Sequence, residues 1–185
     1  MEVTRIRALR GPNLWSRHTA IEAVVRTEGA ECTLGALPGF EDRLRARFPN
    51  IGPMHPVGHE GDISVAHALA FAALGLQAQA GCPVTFSRVT QTVERCVFQV
   101  AVEYSEEEVG RLAMTLAEQL CRAALNEAPF DLADALARLR DPSYESFLVV
   151  TVDAHELVGV INLNEIVRGP FQGAYLGYYA FEPLA

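Results

Sequence analysis

The spacing of hydrophobic positions changes several times along the chain, and each change predicts an element. Residues 2–9 (EVTRIRAL) and 19–27 (TAIEAVVRT) read as strands, with Ile21 and Val25 on one parity of the second. Gly11-Pro12-Asn13 breaks the chain between them. Gly39-Phe40-Glu41 leads into a short amphipathic helix in which Leu44 and Phe48 share a face. Residues 49–61 (PNIGPMHPVGHEG) are rich in Pro and Gly and predict a loop. Asp62 or Ser64 is placed to cap the next helix, which runs to about Ala80 before Gly81 and Pro83 end it. That helix is apolar almost all round, the pattern of a central buried helix.

Residues 84–90 and 96–104 predict two more strands. In the second, Phe98, Val100, Val102 and Tyr104 alternate with Gln99, Ala101 and Glu103, as in a half-buried strand. Ser105-Glu106-Glu107-Glu108 reads as a capping box opening a helix with Val109, Leu112, Leu116 and Leu120 on one stripe. A last helix runs from about Leu132 to Arg140 and stops before Pro142. Beyond it, residues 147–152 (FLVVTV), 157–166 (LVGVINLNEI) and 173–181 (GAYLGYYAF) predict three strands joined by turns. The expected class is α+β: a sheet with packed helices over residues 1–142, followed by a C-terminal three-stranded antiparallel meander over 147–185. A meander with one apolar face is marginal alone, so it is expected to dock, or to make a homo-oligomer through its strands.

Composition narrows the function. Half of the 185 residues are hydrophobic and 21% are charged, and the formal net charge is −8. That balance disfavours a nucleic-acid backbone or an anionic membrane as partner. All fifteen basic residues are Arg. Without Lys there is no Schiff-base chemistry and no P-loop. Cys32, Cys82, Cys96 and Cys121 form no C-x-x-C pair and read as buried free thiols. Residues 1–30 carry charges throughout, and the most apolar run, Val65 to Leu76, is too short to span a bilayer. Together these predict a cytoplasmic location.

Three blocks carry a resemblance. They are Leu9-Arg10-Gly11-Pro12-Asn13-x-Trp15-Ser16, Pro38-Gly39-Phe40, and Ala80-Gly81-x-Pro83-Val84-x-Phe86-x-Arg88; Gln99-Val100-x-x-Glu103-Tyr104 before an acidic helix start continues them. In order and spacing, residues 1–141 resemble the N-terminal domain of cyanophycin synthetase, an enzyme that polymerises aspartate and arginine into a storage peptide. The resemblance implies a domain separate from the ATP-dependent ligation modules, one that holds the growing chain. In some members of that family the central helix carries H-x-x-E-H with a further Glu one turn on, similar to a metallopeptidase site. Two His four residues apart share one Zn²⁺, and the adjoining Glu serves as general base.

This chain departs from that pattern. Alignment on Ala80-Gly81-x-Pro83 puts the motif at His67-Ala68-Leu69-Ala70-Phe71. His67 survives, but Ala70 stands for the Glu, Phe71 for the second His and Gly75 for the later Glu. One imidazole does not hold Zn²⁺, and no carboxylate remains to activate water, so hydrolysis is expected to be absent. His67 then reads as a core histidine bonded to a carbonyl. An alternative is a metal-dependent peptidase in which His55, His59, Glu60 and Asp62 converge with His67 on Zn²⁺.

Arg10, Asn13 and Trp15 sit in a tight turn after a strand, and Arg88 lies in a later block. They are candidates for binding a polymer of mixed charge, since Arg pairs bidentately with carboxylates. The competing reading of the turn is structural, with Trp15 packed. Arg43, Arg45 and Arg47 do not all share a helix face and read as solvated. Glu106, Glu107 and Glu108 suit a helix N-terminus electrostatically.

The C-terminal segment has a resemblance of its own. Leu157-Val158-Gly159-Val160-Ile161-Asn162-Leu163 and Ala174-Tyr175-Leu176-Gly177-Tyr178-Tyr179 resemble the central strands of GNAT-type acetyltransferases. That resemblance implies acetyl-CoA beside the last strand, with a pyrophosphate on a following R/Q-x-x-G-x-G/A helix start. Residues up to Ala185 hold no such element, so acetyl-CoA is not expected to bind. The leading expectation is a non-catalytic, cofactor-free domain that binds an Asp/Arg-type peptide polymer or a partner synthetase. The alternatives are a truncated acetyltransferase relative and the metal-dependent peptidase.

Overall fold

The computed structural model describes residues 1–15, 17–27, 32–52, 63–141, 145–151, 157–167 and 173–180. The chain divides into two units, Met1–Arg140 and Asp141–Ala185. Both sheets are antiparallel and the class is α+β.

In the first unit, strands β1 (Glu2–Leu9), β2 (Ala20–Arg26), β3 (Ser87–Gln91) and β4 (Val97–Glu103) form one sheet in the order β1-β2-β4-β3. Helices α1 (Phe40–Arg47), α2 (Val65–Gln79), α3 (Glu107–Leu125) and α4 (Leu132–Arg140) complete it. Period-two alternation decides the faces. Ile21, Ala23 and Val25 of β2 and Phe98, Val100 and Val102 of β4 join the core beneath α2 and α3. A register shift between Val3 and Arg5 puts Val3, Ile6 and Ala8 on the core side of β1 and leaves Arg5 and Arg7 on the other face.

As its composition predicts, α2 is central. Val65, Ala66, Ala68, Leu69, Ala70, Ala72, Ala73 and Leu76 are all buried. Its many alanines let it lie close to α3, whose stripe of Val109, Ala113, Leu116 and Leu120 packs against it. Fully burying each leucine is worth about 1.5–3 kcal/mol.

Several expectations are corrected. The strand expected from residue 84 begins only at Ser87, because residues 82–86 carry no ladder. The Ser105–Glu108 capping box does not form: Glu106 is the N-cap of α3, without a side-chain cap hydrogen bond. The acidic first turn instead supports the helix dipole, and Glu107 pairs with Arg111 at 2.9 Å.

Arg43 and Arg47 are not merely solvated. Arg43 Nε donates to the Ala124 carbonyl at 2.7 Å and Arg47 Nε to the Ala128 carbonyl at 2.8 Å. These side chains bind the carbonyls at and beyond the C-terminal end of α3, which have no helical donor. Spaced at i and i+4, the two lie on one face of α1. Arg43→Ala and Arg47→Ala should therefore each destabilise the unit by about 1 kcal/mol in urea denaturation. Arg45→Ala, an exposed position, should stay within about 0.5 kcal/mol.

The reading of four free thiols fails at two positions, where Cys32 and Cys96 form a disulfide across 64 residues. No local spacing announces it, because the fold brings Cys32 to the residue that opens β4. Cys82 and Cys121 are free. Burial, together with the charge of Glu118, pushes the Cys121 thiol up to about 12.

In the second unit, β5 (Glu145–Val150), β6 (Leu157–Val167) and β7 (Gly173–Ala180) form the meander β5-β6-β7. Phe147, Ile161 and Tyr178 align across the three strands, and Leu163 faces Leu176 on the same parity. Phe147, Leu176 and Tyr178 are exposed. Among the described residues no helix is long and apolar enough to cross a membrane.

Candidate functional site

The sheet face opposite the helices carries the most developed polar arrangement. One register row crosses all four strands: Arg7 on β1, Glu22 on β2, Ala101 on β4 and Arg88 on β3. Glu22 is only 4% exposed, unusual for a carboxylate. It is tolerated because it is well partnered. Arg7 forks onto it, with Nε to Oε1 at 2.7 Å and Nη2 to Oε2 at 3.1 Å. Trp15 Nε1 donates to Oε2 at 2.7 Å. Burial works to raise the Glu22 pKa, but the hydrogen bonds from Arg7 and Trp15 and the charges of Arg7 and Arg5 outweigh it and hold the carboxyl below its ordinary value.

The Arg88 guanidinium lies 5.8 Å from the centroid of the Trp15 ring. The indole thus links Glu22 and Arg88, the two charged residues that flank the fully buried Ala101 in the row. The contact is a cation–π pair at an accessible site.

The turn that delivers Trp15 is built by the residues of the first sequence block. Asn13 Oδ1 accepts the Trp15 backbone N–H at 2.9 Å, and Asn13 Nδ2 donates to the His18 carbonyl at 2.9 Å. At Gly11 a Cβ would fall 2.8 Å from the Arg17 carbonyl oxygen, so only glycine lets the two arms of the turn pass. The Gly11–Pro12 bond is cis.

Beside this turn is an open cavity of about 530 Å³ lined by Gly11, Pro12, Arg17, His18, Pro83 and Glu103, among others. His18 Nδ1 lies 3.6 Å from Glu103 Oε1, and Glu103 Oε2 accepts the Phe86 N–H at 3.2 Å. Pieces of three separate sequence blocks meet here.

Of the candidate residues, Asn13, Trp15 and Arg88 come together; Arg10 is exposed at the end of β1, outside the cluster. Arg7, Glu22, Glu103 and His18 were not anticipated. Glu22 did leave a signal: it is a lone charge within the otherwise apolar run Ala20–Val25.

The α2 site is different in kind. His67 Nδ1 and Ser64 Oγ are 2.9 Å apart. Ser64 is the helix N-cap, but its hydroxyl pairs with His67 rather than capping a backbone N–H. His67 borders two cavities, of about 390 and 300 Å³. Ala70 is 1% exposed, and Phe71 lines the smaller cavity with Leu74. A Cβ on Gly75 would fall 3.0 Å from the Phe48 ring, so a Glu there would have to displace Phe48. Methyl, phenyl and hydrogen thus stand at positions 70, 71 and 75 of this helix. His55, His59, Glu60 and Asp62 lie outside the described residues. Among those described, no group of three or more His, Cys, Asp or Glu is placed to hold a metal ion.

Comparison with known proteins places this chain in a family. The family model for the cyanophycin synthase-like N-terminal domain matches residues 23–126, more than half of the 185. Cyanophycin synthetase of Trichormus variabilis is 31% identical over 153 residues, covering 76% of this chain and 17% of the relative. The Geminocystis herdmanii enzyme is 31% identical over 157 residues and the Synechocystis enzyme 29% over 154, each covering 76% of this chain and 18% of the relative. The chain thus spans less than a fifth of the length of these relatives. It belongs to the cyanophycin synthase-like N-terminal domain family.

Proposed function

We propose that residues 1–140 form a non-catalytic domain that holds an Asp/Arg-type peptide polymer on the helix-free face of the sheet. The observation that carries this reading is the row Arg7–Glu22–Trp15–Arg88, with Arg17, His18 and Glu103 beside it. A polymer of aspartate and arginine presents carboxylates and guanidinium groups in alternation. Arg88, held by the indole but open to solvent, suits a carboxylate; Glu103, on the cavity wall, suits a guanidinium. The apolar residues at positions 70, 71 and 75 of α2 support a role without hydrolysis.

The test uses the only tryptophan as reporter. Titration with Asp–Arg polymer should change Trp15 emission saturably, and the change should weaken with added salt. Arg88→Ala should weaken binding by roughly tenfold with the fold retained by circular dichroism. Unchanged emission together with no co-sedimentation of protein and polymer would end this reading. Retention of a purified synthetase that depends on Arg88 but not on polymer would favour the partner enzyme as occupant of the face.

A second proposal, that residues 147–185 are a truncated acetyltransferase relative, draws on the β5-β6-β7 strand order. A thermal shift with acetyl-CoA that is lost on removing those residues would favour it over the first. Self-association through the same strands is a third, and it would show as a concentration-dependent mass in sedimentation.

A further inference from the structure

We infer that the Cys32–Cys96 disulfide is a redox-sensitive latch on the cavity beside His67. Both cysteines line that cavity, together with Ser64, His67 and Arg95. Cys32 is half-buried and lines the cavity, so it is the cysteine that a small dithiol entering there would meet.

The position of the bond makes it a latch. On the sheet side, the Cys96 carbonyl accepts both the backbone N–H of Thr27, at 2.9 Å, and its hydroxyl, at 3.2 Å. On the helix side, the Cys32 carbonyl accepts the Val65 N–H at 3.0 Å, and Leu34 N–H donates to the Ile63 carbonyl at 2.8 Å. Thr33 bridges Ser64, the residue that pairs with His67. The disulfide is therefore the covalent tie between the start of β4 and the segment braced against the first turn of α2. Both sulfurs sit at the margin of the core, Cys96 7% exposed and Cys32 packed against it from outside, whereas Ile21, Leu69, Val100 and Leu116 form its fully buried centre. Opening the bond should loosen one wall of the cavity and leave the sheet and helices folded.

Reduction is a two-electron exchange. One thiolate of a dithiol attacks the Cys32 sulfur, a mixed disulfide forms, and Cys96 leaves as a thiolate that takes up a proton. The second thiol of the reagent then expels Cys32, which is protonated in turn, and the reagent departs as a cyclic disulfide.

The experiment is alkylation by iodoacetamide, read by intact mass, with and without prior dithiothreitol, paired with hydrogen exchange. Untreated protein should take one label, at Cys82, because the Cys121 thiol is fully buried and its pKa is about 12. Reduced protein should take three. The amides of Leu34 and Val65 should exchange roughly tenfold faster after reduction, and also in a C32S/C96S variant, while the amide of Val100 stays unchanged. If that variant does not fold, the reduced wild-type chain carries the comparison. Three labels without reductant would overturn the latch. So would equal Leu34 and Val65 exchange in both states, or an acceleration that includes Val100.

Discussion

Replacing Gly110 with alanine should destabilise the first unit by about 3 kcal/mol, although alanine is the better helix former by about 1 kcal/mol. Gly110 lies in α3 where the helix crosses the sheet. An added Cβ would fall 2.6 Å from Tyr104 Cβ and 3.0 Å from Ile21 Cγ1. Ile21 is fully buried and Tyr104 is 6% exposed, so neither swings into solvent. A Cβ is fixed by its own backbone, so α3 has to rise off β2 and the end of β4, loosening the contacts of Val109, Ala113 and Leu116 as it goes. Gly52→Ala, where nothing lies within 4 Å of the added methyl, should stay within about 0.5 kcal/mol. Urea denaturation of both variants decides it. A Gly110→Ala protein as stable as the parent would show that α3 does not sit as closely as described.

Glu22→Gln should cost about 2 kcal/mol at neutral pH, and the cost should vanish in acid. The neutral amide keeps the shape of the side chain but loses the charge that Arg7 and Trp15 Nε1 address. Burial alone would raise the Glu22 pKa. The partners win, so the folded value lies below the ordinary 4.5. A carboxyl with a depressed folded pKa contributes its stability in full above its unfolded value and loses it as pH falls through the folded one. The gap between parent and variant should therefore hold steady from neutral pH to about 5, shrink below about 4.5, and close once Glu22 itself is protonated. Melting temperatures for the two proteins across that range give the test. A gap independent of pH would mean that shape, not charge, makes Glu22 necessary.

Much of the secondary structure was legible because its causes are local. The alternation of Phe98, Val100 and Val102 with Gln99 and Ala101 is enough to make β4 a strand, but not the half-buried one expected: its central place in the sheet buries Val97 and Ala101 as well. The apolar run from Val65 to Leu76 makes α2 central, since no face of it suits solvent. The site was legible only in pieces. The first block marks a turn, and its Gly, Asn and Trp act as such residues act in turns. Arg88 stood out only through its block. Arg7 gave no signal at all, because one arginine in an exposed strand position looks like any other. The Ser105 capping box matched in spelling but not in geometry, because the helix begins one residue later than the pattern requires.

By itself, the sequence determined where most strands and helices form, that α2 is apolar almost all round, and the family to which residues 23–126 belong. Hydrophobic periodicity and residue chemistry are properties of short stretches, so these survive without coordinates. Only the tertiary structure decided which charges meet. Inserting β4 between β2 and β3 carries residues 7, 22, 101 and 88 into one row. The same folding brings Cys32 to Cys96 and the arginines of α1 to the end of α3. Each of these contacts joins residues far apart in the chain. Their energy depends on a distance that no local pattern encodes.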